Sequence, residues 1–187
     1  MRVKIHCKKF DTEFKMALYA MTEFAMARLV ESKRLRNKLS IDVHFRHHSA
    51  EGEAMIDHDT NPYRPRHFRV VIDHHTSPYR PRHFRVIIDH HRLEEDNYGR
   101  KRDVTEWAHE VLKTLAHELV HVKQYVMGEL SMRREGLCYR GVHYDVKTLT
   151  EYFELPYEIE AYGREKGLLI AFLAFWKGVC EEFDFSS

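Results

Sequence analysis

Three cysteines in 187 residues, Cys7, Cys138 and Cys180, are too few and too widely spaced for a disulfide framework or a cysteine-rich zinc knot. Reduced, buried thiols are the expectation. An excess of charge of one sign is also missing: 30 basic residues meet 29 acidic ones, for a formal net charge of +1. Bulk electrostatics therefore gives no pull toward nucleic acid or an anionic membrane. Long apolar runs are absent too. The longest, Leu168 to Trp176, falls far short of the roughly 20 residues that cross a bilayer. The basic start MRVKIHCKKF reaches no apolar h-region before Asp11 and Glu13, so it does not read as a secretory signal. A soluble, cytoplasmic protein with no membrane partner is expected, and partners must be argued from sites.

What is present suffices for one core. Hydrophobic residues make up 43% of the chain, and residues 1–187 are expected to form one domain. From Asp11 to Leu39 the residues Phe14, Leu18, Met21, Phe24, Ala25, Leu29 and Val30 recur at three- and four-residue steps, predicting an amphipathic helix capped by Asp11 or Thr12. Its basic ending, Lys33 to Lys38, suits the negative end of the helix dipole. Ile41, Val43 and Phe45 then alternate with Asp42, His44 and Arg46, the period of a half-buried strand.

A tandem repeat of sixteen residues follows within 56–91: Ile56 to His75 matches Ile72 to His91 at all but three of twenty positions. Each copy reads PYRPRHFRV, then two apolar residues and Asp-His, so a proline-punctuated turn feeds a short strand, Phe68 to Ile72 or Phe84 to Ile88. Either both copies form strands, or one pairs while the other loops out.

Asp103 and Glu106 have the spacing of a capping box, opening a helix whose stripe runs from Trp107 through Val111, Leu115, Leu119 and Val122 to Val126, with Gly128 placed to end it. Gly136 to Thr150 lacks a clear period and is expected to be loop with a short strand at most. Pro156 suits the first turn of a further helix through about Val179, with Ile159, Tyr162, Leu169, Phe172, Leu173 and Trp176 on its inner side.

The chemistry lies in the first of these two helices. His117 and His121, at i and i+4, stand on one face, so both imidazoles can bind a single metal ion, and Glu118 between them is placed to act on the water such an ion activates. A catalytic zinc of this kind needs a third protein ligand. Glu158 and Glu160 are the candidates, and being two residues apart on a helix they point to different faces. The stretches TLAHELVHVKQY, GEL and LPYEIEAYGREKGL resemble the minigluzincin-like zinc metallopeptidases, including many encoded by bacteriophages, over roughly Glu51 to Leu169.

The resemblance implies an α+β fold: an N-terminal helix, a small, mostly antiparallel sheet, an active-site helix, and a C-terminal helix that carries the third ligand. It implies that Glu158, in its E-x-x-A context with Ala161, is that ligand beside His117 and His121, with Zn2+ as cofactor. It also implies a sheet edge that takes an extended peptide or protein substrate by strand addition. One copy of the repeat would be that edge. The reaction implied is endopeptidase hydrolysis by a zinc-activated water, with Glu118 as general base. The chain departs from the family at Tyr162, where many members carry an aspartate that supports a zinc-binding histidine, so Glu154 or Asp145 becomes a candidate for that support. Tyr144, Tyr152, Tyr157 and His143 are candidates for stabilising the oxyanion.

Two other readings stand beside this one. The paired histidines, His47-His48, His74-His75 and His90-His91, face opposite sides of an extended chain and are poor two-ligand sites. Arg64, Arg66, His67 and Arg69 with Tyr63 and Phe68 offer a basic, aromatic strip for single-stranded nucleic acid, which the near-neutral charge disfavours. A non-enzymatic, zinc-stabilised protein- or nucleic-acid-binding module is the alternative function, with Glu118 incidental to it.

Overall fold

The computed structural model describes residues 1–8, 10–46, 68–72, 82–96, 98–133, 136–145 and 148–184. Val3 and Ile5 alternate with Arg2, Lys4 and His6, and this short period-two pattern forms a strand, β1 (Arg2–His6), that the sequence reading passed over. Helix α1 (Thr12–Leu29) follows, and the chain returns in β2 (Ser40–Arg46) parallel to β1, as strands joined through a helix must. β4 (His83–Asp89) lies parallel on the other side of β2, and β3 (Phe68–Ile72) closes the sheet antiparallel to β4, in the order β1-β2-β4-β3.

The expected mostly antiparallel sheet is therefore corrected: β1, β2 and β4 are parallel, and β3 alone runs against them. Both copies of the repeat contribute a strand. Val70 faces Val86, its own equivalent sixteen residues on, so the copies meet about a local two-fold axis. The proline-rich turns and the basic strip around Tyr63 to His67 lie outside the described residues, as do His47-His48 and His74-His75.

Asp11 caps α1 by accepting from the Phe14 amide at 2.7 Å. The helix stops at Val30, short of the expected Leu39, because Val30 turns extended and Ser32 caps a separate turn, α2 (Lys33–Arg36). The Arg36 guanidinium folds back to donate to the Val30 and Glu31 carbonyls, covering acceptors that the helix end leaves open.

Helix α3 (Val104–Met127) has the expected box, with the Glu106 amide donating to Asp103 Oδ1 at 2.8 Å and the Asp103 amide to Glu106 Oε2 at 3.2 Å. It ends at Gly128, whose φ of 75° is left-handed. Gly136 to Thr150, expected to be loop with a short strand, holds β6 (Gly136–Tyr139) and β7 (Val142–His143), which join β5 (Leu130–Arg133) in a second sheet, and runs into α4 (Leu149–Phe153). These strands of two to four residues are too short to show a period. Helix α5 (Pro156–Asp184) outlasts its expected end near Val179 and takes in Glu181, Glu182 and Asp184.

The core joins α1, α3 and α5 to one face of the larger sheet through Leu18, Met21, Val43, Val86, Leu119 and Phe172. On α5 the buried positions are Tyr157, Glu158, Ala161, Leu168, Leu169 and Phe172, whereas Ile159, expected inside, is 56% exposed. Among the described residues no helix is long and apolar enough to cross a membrane. Replacing Asp103 by Ala should destabilise the fold by about 1 kcal/mol, read as a lower urea midpoint at unchanged slope.

Candidate metal centre

Three side chains from two helices converge in the interior. α3 places His117 and His121 one turn apart, and the first turn of α5 brings Glu158 across to them; all three are buried. The two Nε2 atoms lie 3.2 Å apart, and they lie 3.3 Å (His117) and 3.5 Å (His121) from the Glu158 oxygens. A tetrahedral ion with bonds of about 2.0–2.1 Å separates its ligands by about 3.3 Å. The pairwise spacings, His117 to Glu158 Oε2 and His121 to Glu158 Oε1, are thus close to those between corners of a zinc site.

The outward ring nitrogens explain why these corners face one another. His117 Nδ1 sits 2.9 Å from Glu165 Oε2, and against a carboxylate oxygen the ring nitrogen donates. His121 Nδ1 sits 2.9 Å from Gln124 Oε1. The Gln124 amide is oriented by its other end, whose Nε2 donates to the Tyr157 carbonyl at 2.9 Å and to Glu160 Oε2 at 3.1 Å, so Oε1 is left to accept from His121. Both imidazoles are thereby held with Nε2 lone pairs turned inward, toward the Glu158 carboxylate. Acceptors pointed at one another in a buried site call for a cation.

Protonation behaves accordingly. Burial disfavours charge on His117, but Glu158, Glu165 and Glu118 outweigh it and raise the imidazole to about 9. His121 is also raised, because Glu158 and Glu118 together overcome its desolvation. Burial works against the charged form of Glu158 too, yet the two histidines hold its carboxyl down at about 2. Glu118 is the exception. Desolvation dominates it and lifts it to about 7 against the pull of His121 and His117, and its Oε1 is buried with no hydrogen-bond partner among the described residues.

Glu160, the other candidate ligand, lies outside the triad. It binds Lys123 at 3.0 Å, Gln124, the Tyr139 hydroxyl at 3.2 Å and Arg164 at 3.1 Å. Support for His117 comes from Glu165, so the expectation of Glu154 or Asp145 in that role is corrected; Glu165 is two turns beyond Glu158 on the same face of α5. Tyr162 instead lays its ring edge-on to His117 at 4.5 Å between centroids, and its phenol is raised by burial and the nearby carboxylates.

Sequence reasoning missed Gln124 and Glu165. Their spacing from the ligands, i+3 from His121 and i+7 from Glu158, is the signal that could have found them. Of the oxyanion candidates, Tyr152 is buried and hydrogen-bonds Glu158, and the Tyr157 ring packs against His121. Tyr144 packs on the core, and His143 lies exposed over Gly136.

His117, His121 and Glu158 form a buried group that could hold a metal ion, and it fits the HExxH-plus-glutamate class of zinc site. Comparison with protein-family models, curated proteins and solved structures finds no match.

Protons on the raised His117 and His121 imidazoles compete with a metal for the same Nε2 atoms. Zinc affinity should therefore climb with pH, by up to tenfold per unit for each proton released, and level off above about pH 9. Calorimetry at pH 7 in two buffers of different ionisation enthalpy should register that proton release. Glu165→Ala should weaken zinc binding by about 10–100-fold, measured by competition with a chelator.

Proposed function

We propose that the protein is a zinc-dependent endopeptidase in which His117, His121 and Glu158 hold the metal and Glu118 is the general base. The observation that supports this most directly is the pairing of an inward-facing ligand set with an adjacent carboxylate that has no structural duty. A purely structural zinc site has no use for a buried, unpartnered glutamate, which costs free energy for as long as it stays charged. A base raised to about 7 is well matched to taking a proton near neutrality and giving it up again.

Zinc bound here would supply Lewis acidity, lowering the pKa of a water and polarising the scissile carbonyl. Glu118 takes a proton from the attacking water and passes it to the departing amine nitrogen, so the carboxylate is regenerated at the end of the cycle. Glu165 and Gln124 keep both imidazoles in the tautomer that presents Nε2. Among the described strands β3 ends its sheet, and in this reading its outer backbone edge receives an extended peptide.

A second reading, a zinc-stabilised binding module without catalysis, draws support from burial: His117 is 1% exposed, Glu158 3% and His121 8%. Glu118→Gln separates the two. If the protein is a peptidase, the variant keeps zinc at full stoichiometry and loses about 10²–10⁴-fold in cleavage of an unstructured protein such as casein. Unchanged cleavage with zinc bound, or cleavage that survives complete zinc removal, sinks the mechanism.

A further inference from the structure

On the opposite face of the larger sheet a second group of ligand atoms comes together. Ile5, Ile41 and Val43 of β1 and β2 turn into the core, so the residues alternating with them, His6, Asp42 and His44, share the outer face. The parallel register sets His6 directly beside His44, with Asp42 two residues back on the same side of β2. His6 Nε2 is 3.9 Å from Asp42 Oδ2, and one ligand atom from each of the three residues lies within 4.8 Å of the others. Asp42 Oδ1 is buried and has no hydrogen-bond partner among the described residues.

We propose that His6, Asp42 and His44 form a second transition-metal site, which takes zinc and staples the N-terminal strand β1 to β2. Two imidazoles and one carboxylate are a donor set suited to zinc, cobalt or nickel and poorly suited to calcium or magnesium. An i, i+2 pair on one strand with a third ligand from its neighbour gives three donors on a common face.

The rings of His6 and His44 are stacked, with centroids 4.2 Å apart and planes 10° from parallel. Stacked planes cannot both contain one ion, so one ring must turn about Cβ–Cγ. His6, whose side chain is 42% exposed, has the room, and that torsion is soft. Bringing donors that lie within 4.8 Å to the spacing of about 3.3 Å in a tetrahedral site asks for no more than about 1.5 Å of movement per pair.

β1 is the outer strand of the sheet and pairs only with β2 among the described strands, so a metal bridging the two would resist fraying there. The site shares no residue with the one on α3 and α5 and does not depend on the proposed activity.

Equilibrium dialysis of the full chain against excess zinc chloride, with bound metal counted by emission spectroscopy, tests it. The unmodified protein should hold about two zinc ions per chain, and His6→Ala and His117→Ala about one each. Asp42→Asn, nearly the same in shape, should also hold about one. In the His117→Ala background, saturating zinc should raise the melting temperature by roughly 5–10 °C, and adding His6→Ala should abolish the rise. A zinc count unchanged by both His6→Ala and Asp42→Asn overturns the proposal, as does a single zinc lost only on His117→Ala. A count lowered by His6→Ala but untouched by His117→Ala upholds the staple and removes the basis for the peptidase reading.

Discussion

Three lone-pair donors aimed at one point in a dry interior are the constraint around which the rest of this molecule is arranged. Without a cation, His117, His121 and Glu158 would repel or leave buried acceptors unsatisfied. With protons or a metal between them, they tie α3 to α5. Each helix end contributes: the capping box fixes where α3 begins, and Pro156 starts α5 so that Glu158 falls in its first turn. A one-residue shift of either helix would rotate a ligand by about 100° and dissolve the site.

The carboxylates of α5 divide the work by their angular positions. Glu158 faces the histidines, and Glu165, two turns on, backs His117 from the same face. Glu160 points elsewhere and is held by Lys123 and Arg164, with burial working against its charge but the cations and Gln124 bringing it down to about 2. That makes Glu160 a fixed anion, one that positions Gln124 and, through it, His121. The residue that competes with Glu158 as a ligand in the sequence thus has an orienting role in the structure.

The local elements with capping or helical-spacing signatures were legible in advance. Asp103, Glu106 and Gly128 bound α3 where their chemistry requires, and His117 and His121 fall on one face because i and i+4 always do. The inner face of α5, by contrast, was obscured by burial running against type, although Glu158 itself was named in advance. Glu158 occupies the inner stripe of α5, where periodicity looks for apolar residues, and Ile159 is consequently displaced to solvent. Strand direction was hidden for another reason: the period-two pattern of Ile41 to Phe45 is the same in parallel and antiparallel pairs, and only the connection through α1 decides it. The second sheet escaped because its strands are shorter than the window in which alternation can be recognised.

Charge bookkeeping then links the empty and filled forms of the centre. The carboxylates around His117 and His121 raise both imidazoles, and a divalent ion held by the same ligands would answer the same negative charge. The distances of 3.2–3.5 Å among the ligand atoms are close to those of donors around a single ion. At Glu118 the elevated proton affinity comes first from desolvation, which the surrounding helix packing supplies against the pull of His121 and His117.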